Sequence, residues 1–279
     1  VSHDDPEASG HRARKRFGQN FLHDGNIIRR IVAGIRPRGD ETLLEIGPGQ
    51  GALTTSLLAS GCELIAVELD RDLVALLQRK FADEPRFHLH SGDALKLQLA
   101  DVASGRRVRV VGNLPYNIST PLIFHLLAQN AGIVDMHFML QKEVVDRLAA
   151  EPGSKAYGRL GIMTQYHCRV EPLLDVPPGA FSPQPKVQSA VVRLVPHATP
   201  PYPARSVETL QTVVRTAFNQ RRKTLRNALQ GLVSVEQMQQ LGIDAGARPE
   251  TLSLQDYVAL ANAIGSDTDT DTSGASQGH

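Results

Sequence analysis

From residue 42 to residue 150, short apolar runs take turns with amphipathic segments, and few folds accept that alternation. "TLLEI" reads as a strand and "ALTTSLLAS" as a helix closed by Gly61. "ELIAVE" is a second strand. It is followed by "RDLVALLQRKFA", where Leu73, Leu76, Leu77 and Phe81 share one helical face. "RFHLHS" and "RVRVVGN" supply a third and a fourth strand. "TPLIFHLLAQ" is a helix with Pro121 in its first turn, where a missing N–H is tolerated. "VDMHFMLQ" is a fifth strand and "KEVVDRLAA" the next helix. "VEPLLDVP" and "VQSAVVRLV" are two later strands bracketing the Pro-rich loop "PPGAFSPQPK". The expectation is an α/β fold, a mostly parallel seven-stranded sheet with helices on both faces.

A Pro-rich break, "PHATPPYP" at residues 196–203, ends the alternation. Behind it every periodic segment is helical: "VETLQTVVRTAFNQ", "KTLRNALQGL", "SVEQMQQLG" and "SLQDYVALANAI". With a boundary near 198–205, the chain of 279 residues divides into four parts: a basic polar extension (1–16), an α/β domain (17–200), a small all-helical domain (201–264) and a low-complexity tail (265–279). The extension and the tail lack apolar periodicity and are expected to be disordered. Hydrophobic residues make up 41%, enough for a core without covalent staples. Cys62 and Cys168 stand far apart and neither has a CxxC partner, so neither a disulfide framework nor a metal site is expected. No secretory h-region and no membrane-length apolar run is present, and a reducing cytoplasmic setting is expected.

The net charge of +1 conceals an asymmetry. Residues 182–226 carry eight Lys/Arg against the single acid Glu208, and "HRARKRFG" adds Arg12, Arg14, Lys15 and Arg16 with no acid. Two basic zones suit a polyanion such as nucleic acid, or are simply solvated faces.

"EIGPGQGA", residues 45–52, closes the first strand and opens a helix. Gly47, Gly49 and Gly51 let the backbone turn sharply and approach a ligand. Taken alone, the loop fits a nicotinamide or another adenosine cofactor, or a plain strand-to-helix turn. Glu45 shifts the balance, because a carboxylate there suits a cationic amine better than a pyrophosphate. Glu68 ends the second strand, where an acid can accept from ribose hydroxyls or cap the next helix. Asp93, in "SGDAL" after the third strand, can accept from an adenine amino group or act as an N-cap. The three sites together describe a nucleoside pocket along one edge of the sheet.

"GNLPYNIST", residues 112–120, follows the fourth strand at that same edge. The amino group of a base is a poor nucleophile because its lone pair is delocalised into the ring. Acceptors aimed at both N–H bonds restore lone-pair character. The Asn113 side-chain oxygen and the Leu114 carbonyl are candidates, Pro115 stiffens the turn, and Tyr116 offers a stacking face. A proline turn whose Asn caps the helix near Ser119 is the plainer alternative.

"GQNFL", "EIGPGQGALT", "GDAL", "NLPYNIS" and "FSPQPKVQSAV" stand here in one order, from about Arg16 to Ile264. In that order the chain resembles the KsgA-type small-subunit ribosomal RNA adenine dimethyltransferases. The resemblance implies a Rossmann-like class I methyltransferase with S-adenosylmethionine as cofactor. It also implies N6,N6-dimethylation of two adjacent adenosines in a 3′-terminal hairpin of 16S ribosomal RNA, in an immature small subunit. Gln19, Asn20 and Leu22 would contact the cofactor, with Glu45, Gly47, Gly49, Gly51, Glu68, Leu69, Asp93, Ala94 and Asn113 completing its site. Asn113, Leu114, Pro115 and Tyr116 would hold the target base, and Phe181 of "FSPQP" would cover its other face; on its own residues, Phe181 between prolines reads either as an exposed stacker or as core or loop packing. Arg14, Lys15, Arg16, Lys186, Arg221, Arg222, Lys223 and Arg226 would contact RNA phosphates. A monomer is expected. Two rivals share the fold: a large-subunit methyltransferase of the macrolide-resistance type, and an RNA-binding assembly factor without activity.

Overall fold

The computed structural model describes residues 20–264. The order begins with β1 (Phe21–Leu22), α1 (Gly25–Ile35), β2 (Thr42–Ile46), α2 (Ala52–Leu58), β3 (Glu63–Glu68), α3 (Arg71–Lys80) and β4 (Phe87–Ser91). It continues with α4 (Leu99–Ala103), β5 (Val108–Asn113), α5 (Ser119–Leu127), β6 (Ile133–Gln141), α6 (Lys142–Leu148) and α7 (Arg159–His167). Then come β7 (Cys168–Val176), β8 (Phe181–Ser182) and β9 (Ser189–Pro196), and last the helices α8 (Val207–Asn219), α9 (Leu225–Ala228), α10 (Val235–Gln240) and α11 (Leu254–Ile264).

Seven strands form one sheet in the order β4-β3-β2-β5-β6-β9-β7. The β4/β3, β3/β2, β2/β5 and β5/β6 ladders are parallel, and β9 runs antiparallel to β6. The order reverses between β2 and β5, and that reversal opens the crevice in which ligands of such sheets bind. β5 approaches β2 so closely that a Cβ on Gly112 would stand 2.6 Å from the Ile46 carbonyl oxygen. No side chain fits there.

α4, α7 and two further features have no counterpart in the expected elements. One of the two is α1, whose Ile27, Ile31 and Ile35 form a buried stripe at four-residue spacing. Asp24 caps it, its carboxylate accepting from Asn26 N at 2.8 Å and Ile27 N at 3.1 Å. The other is a two-stranded antiparallel ladder of β1 and β8, which pairs Leu22 with Phe181 across most of the chain.

The amino ends of the strands carry a buried ion network. Arg109 donates to Asp135 (2.8 Å), Glu41 (2.9 Å) and the Ile35 and Arg36 carbonyls (2.6 and 3.2 Å). This fastens the end of α1 to the sheet. Arg193 also donates to Asp135, at 2.8 Å, and meets Glu171 at 3.3 Å. It was counted in the basic zone, yet its charge is spent inside the fold.

Among the described residues, packing separates two compact units. One holds residues 20–145 with Glu171–Val195; the other holds Asp146–Val170 with residues 196–264. The sequence-based boundary lies just past that second join and did not anticipate the excursion of Asp146–Val170. The second unit centres on the rings of Tyr157, Phe218 and Tyr257, with centroids 6.3 and 6.1 Å apart in succession. Its expected helix over 223–232 is only the four residues of α9. Arg221, Arg222 and Lys223 therefore sit on the α8–α9 turn rather than on a helix face.

Candidate active site

The carboxyl ends of β2, β3 and β5, with the turns after β3, β4 and β5, enclose a cavity of about 210 Å³. Asn20, Leu22, Glu45, Gly47, Gly49, Glu68, Leu69, Asp93, Ala94 and the turn from Asn113 to Tyr116 all line it. Residues 21, 50, 117 and 118 line it as well, without having been expected there. They flank the motif positions, so proximity in sequence was the signal for them.

Gly47 and Gly49 have φ of 66° and 61°, in the left-handed region that favours glycine. Their turn wraps the end of β2 and brings Gly49 N–H to within 3.2 Å of a Glu68 oxygen. The other Glu68 oxygen accepts from Leu69 N and Asp70 N, both at 2.9 Å. A carboxylate offers about four lone-pair sites. One oxygen thus takes two N–H donors and the other takes one, which leaves acceptor capacity open. Burial raises its pKa, against the lowering effect of the three N–H donors.

Glu45 is buried and accepts from the Thr54 hydroxyl at 2.6 Å. Burial pushes its carboxyl up to about 7; the Thr54 bond opposes this and the Glu68 charge reinforces it. One Asp93 oxygen accepts from Leu95 N at 3.0 Å, which caps the short turn Ala94–Lys96 and leaves the second oxygen to a ligand. Both readings of Asp93, cap and acceptor, are therefore compatible. Leu69, 51% exposed, gives the rim an apolar face.

At the far end, the Asn113 amide nitrogen donates to the Asn20 carbonyl at 3.1 Å. With the nitrogen engaged, the oxygen is the atom left to accept. Leu114 N donates to Met139 O at 3.2 Å, hanging the turn from β6. The Tyr116 phenol shares a hydrogen bond of 2.9 Å with the Ser189 hydroxyl, and Ser119 Oγ donates to the Tyr116 carbonyl at 3.2 Å.

Two expectations need correction. Gly51 does not line the cavity. It is the N-cap of α2 with φ of 79°, in the region that favours glycine, and a Cβ there would also crowd the Phe81 ring at 3.0 Å. Phe181 is not an exposed stacker: it is 3% exposed, paired with Leu22, and clusters with Leu22, Val176, Ala180 and Val191. The apolar neighbours gathered by the β1–β8 ladder draw the ring into the core. Of the expected RNA contacts, Lys186, Arg222, Lys223 and Arg226 are exposed. Arg221 donates to the Lys155 carbonyl at 3.0 Å and faces Glu250 at 3.7 Å. Arg14, Lys15, Arg16 and Gln19 lie outside the described residues. Among the described residues no cluster of His, Cys, Asp and Glu could hold a metal ion, and no helix is long and apolar enough to cross a membrane.

The family model "Ribosomal RNA adenine dimethylase" matches residues 10–265. The chain is 61% identical over 255 residues to a ribosomal RNA small subunit methyltransferase A of Marinobacter nauticus, covering 91% of this chain and 92% of the relative. It is 63% identical over 255 residues to the protein of that name in Pseudomonas aeruginosa, covering 91% and 95%. Among solved structures it is similar to a dimethyladenosine transferase from Plasmodium falciparum, with TM-score 0.74 and 25% identity over 86% of this chain and 95% of that one. The 23S rRNA methyltransferase ErmE is similar too, with TM-score 0.70 and 25% identity over 88% and 99%.

Proposed function

The chain belongs to the ribosomal RNA adenine dimethylase family, and from that premise we propose how its cavity carries out S-adenosylmethionine-dependent dimethylation of adenine in small-subunit ribosomal RNA. The residues present suit that cofactor. Glu45 would meet the cationic amine, the open acceptor capacity of Glu68 a ribose hydroxyl, and the second Asp93 oxygen the adenine amino group. Leu69 would lie against the adenine ring. When bound, S-adenosylmethionine supplies a methyl group already activated as a sulfonium.

The protein's own task is then to present a nucleophile. Asn113 Oδ1 and the Leu114 carbonyl accept from the two N–H bonds of the target amino group and free its lone pair. The Tyr116 ring supports the base, which has been drawn out of its stack at a cost of a few kcal/mol. The nitrogen sheds a proton to water once it is alkylated. Holding both partners in line at near-contact distance is the main source of rate. One observation carries this reading. The Asn113 amide nitrogen is engaged by the Asn20 carbonyl, which leaves its oxygen as the acceptor, and Asn113 lines the same cavity as Glu45, Glu68 and Asp93.

The finer points are part of the same proposal: two adjacent adenosines in the 3′-terminal hairpin, an immature small subunit as substrate, a monomeric enzyme and a cytoplasmic setting. Phosphate contacts by Lys186 and, in the helical unit, Arg222, Lys223 and Arg226 would position the RNA without reading its sequence. The relatives named for small-subunit activity, at 61% and 63% identity, favour this substrate over the large-subunit one. Mass spectrometry of ribosomal RNA incubated with the protein and S-adenosylmethionine tests it. Dimethyladenosine confined to small-subunit RNA is expected, and modification of large-subunit RNA alone would refute it.

A further inference from the structure

The phenol of Tyr116 is anchored. Its oxygen shares a 2.9 Å hydrogen bond with Ser189 Oγ, a side chain 73 residues further on. Ser189 is fully buried at the start of β9, opposite Gln141 in the β6–β9 ladder. The same β6 strand holds the Leu114 N–H through Met139 O. Ser119, also buried, donates to the Tyr116 carbonyl at 3.2 Å. Tyr116 is therefore gripped at both ends, its backbone by the first residue of α5 and its phenol by the sheet. A tyrosine in a turn has two free side-chain torsions, and tethering the far oxygen removes most of that freedom. The link also joins two stretches, "NLPYNIS" and "FSPQPKVQSAV", that lie far apart along the chain.

We propose that Ser189 is a positioning residue for methyl transfer, setting the plane of the Tyr116 ring, and that its influence falls mainly on the second of the two transfers. This rests on the assignment of the Asn113 turn as the base site. An unmethylated amino group offers two N–H bonds to two acceptors. A monomethylated one offers a single N–H, so one polar restraint is gone and the aromatic wall carries a larger share of the orientation.

Time courses with small-subunit RNA at saturating S-adenosylmethionine test this, with unmodified, monomethyl and dimethyl adenosine quantified by mass spectrometry. In Ser189→Ala the second rate constant is expected to fall about three- to tenfold, the equivalent of one hydrogen bond. The first should change less than about twofold, and cofactor affinity should hold, since no ground-state cofactor contact is lost. Monomethyl product then accumulates. Ser189→Thr, which keeps the hydroxyl, should restore dimethyl product. Tyr116→Phe removes the same bond from its other end, and the double variant should be no worse than either single one. If Ser189→Ala folds poorly, Tyr116→Phe alone decides, through the same product ratio. A wild-type product ratio, or an equal fall in both steps, would overturn the proposal. Asn113→Ala separates the two layers. If it is inactive while Ser189→Ala behaves as wild type, the base site stands and the Ser189 role fails. If Asn113→Ala keeps full turnover, the base-site assignment itself is lost.

Discussion

The two ends of the cavity are built by opposite means. At the cofactor end each acid is fixed close to home: Glu68 by the N–H groups of the next two residues and the neighbouring glycine turn, Asp93 by the N–H two residues on, Glu45 by a hydroxyl nine residues away. At the base end nothing local suffices. Asn113 is oriented by a carbonyl 93 residues upstream and Tyr116 by a hydroxyl 73 residues downstream. The first end is therefore a property of short motifs, and the second of the completed fold. Binding energy can be put in place by a few adjacent residues. The alignment that raises turnover needs several strands at once.

That contrast can be broken in several ways. The largest effect is expected from Asn113→Ala, with turnover down about a hundredfold, in the range of a lost transition-state hydrogen-bond partner. Cofactor affinity, measured by calorimetry, should change little; a loss of affinity without a loss of turnover would merge the two ends. Glu68→Gln should do the reverse and weaken cofactor binding about tenfold or more, because hydrogen bonds to a charged acceptor are lost. Turnover at saturating cofactor should be spared, and a single-turnover assay checks this.

Acidity should act at the cofactor end as well. The free protein holds Glu45 with a pKa of about 7, so the carboxyl is mostly neutral at pH 6 and mostly ionised at pH 8. A cationic amine binds the ionised form. Cofactor affinity should therefore drop as pH falls through 7, by about tenfold across those two units. Glu45→Gln should flatten the profile, and an unchanged slope in that variant would remove Glu45 from amine recognition. The smallest effect belongs to the exposed Arg222. Its replacement by Ala should lower the salt dependence of RNA binding by about one unit of slope, read by filter binding across a salt series. The product ratio should not change.

The same contrast explains what the sequence disclosed. Apolar runs alternating with amphipathic segments sufficed for β2 to β6, because β2, β3, β5 and β6 are largely buried and the partly exposed β4 still alternates in register with β3. Glu68, Asp93 and Asn113 were legible because Glu68 and Asn113 end strands and Asp93 follows β4 by two residues, and a parallel sheet brings its strand ends to one edge. Phe181 stays ambiguous in the sequence because flanking prolines suit an exposed loop as well as a packed one, and the two-residue ladder to Leu22 that buries it is announced by no periodicity. Gly51 shares the spacing of Gly47 and Gly49 but caps α2 and packs against the Phe81 ring, a neighbour 30 residues on. Arg193 added to the basic count until Asp135 and Glu171 claimed it. In each case the deciding partner came from a distant element.

The short β1–β8 ladder reaches as far as the Asn113 turn. Asn20, which turns the Asn113 carboxamide, immediately precedes Phe21, and Phe21 is tied to Ser182. Asn20 and the β1 strand beside it thus brace the proposed base site 93 residues further on. A shortened protein beginning at Phe21 would retain all seven main strands and yet lack the carbonyl that aims the carboxamide. Trimming at that point would uncouple a sound scaffold from a competent one.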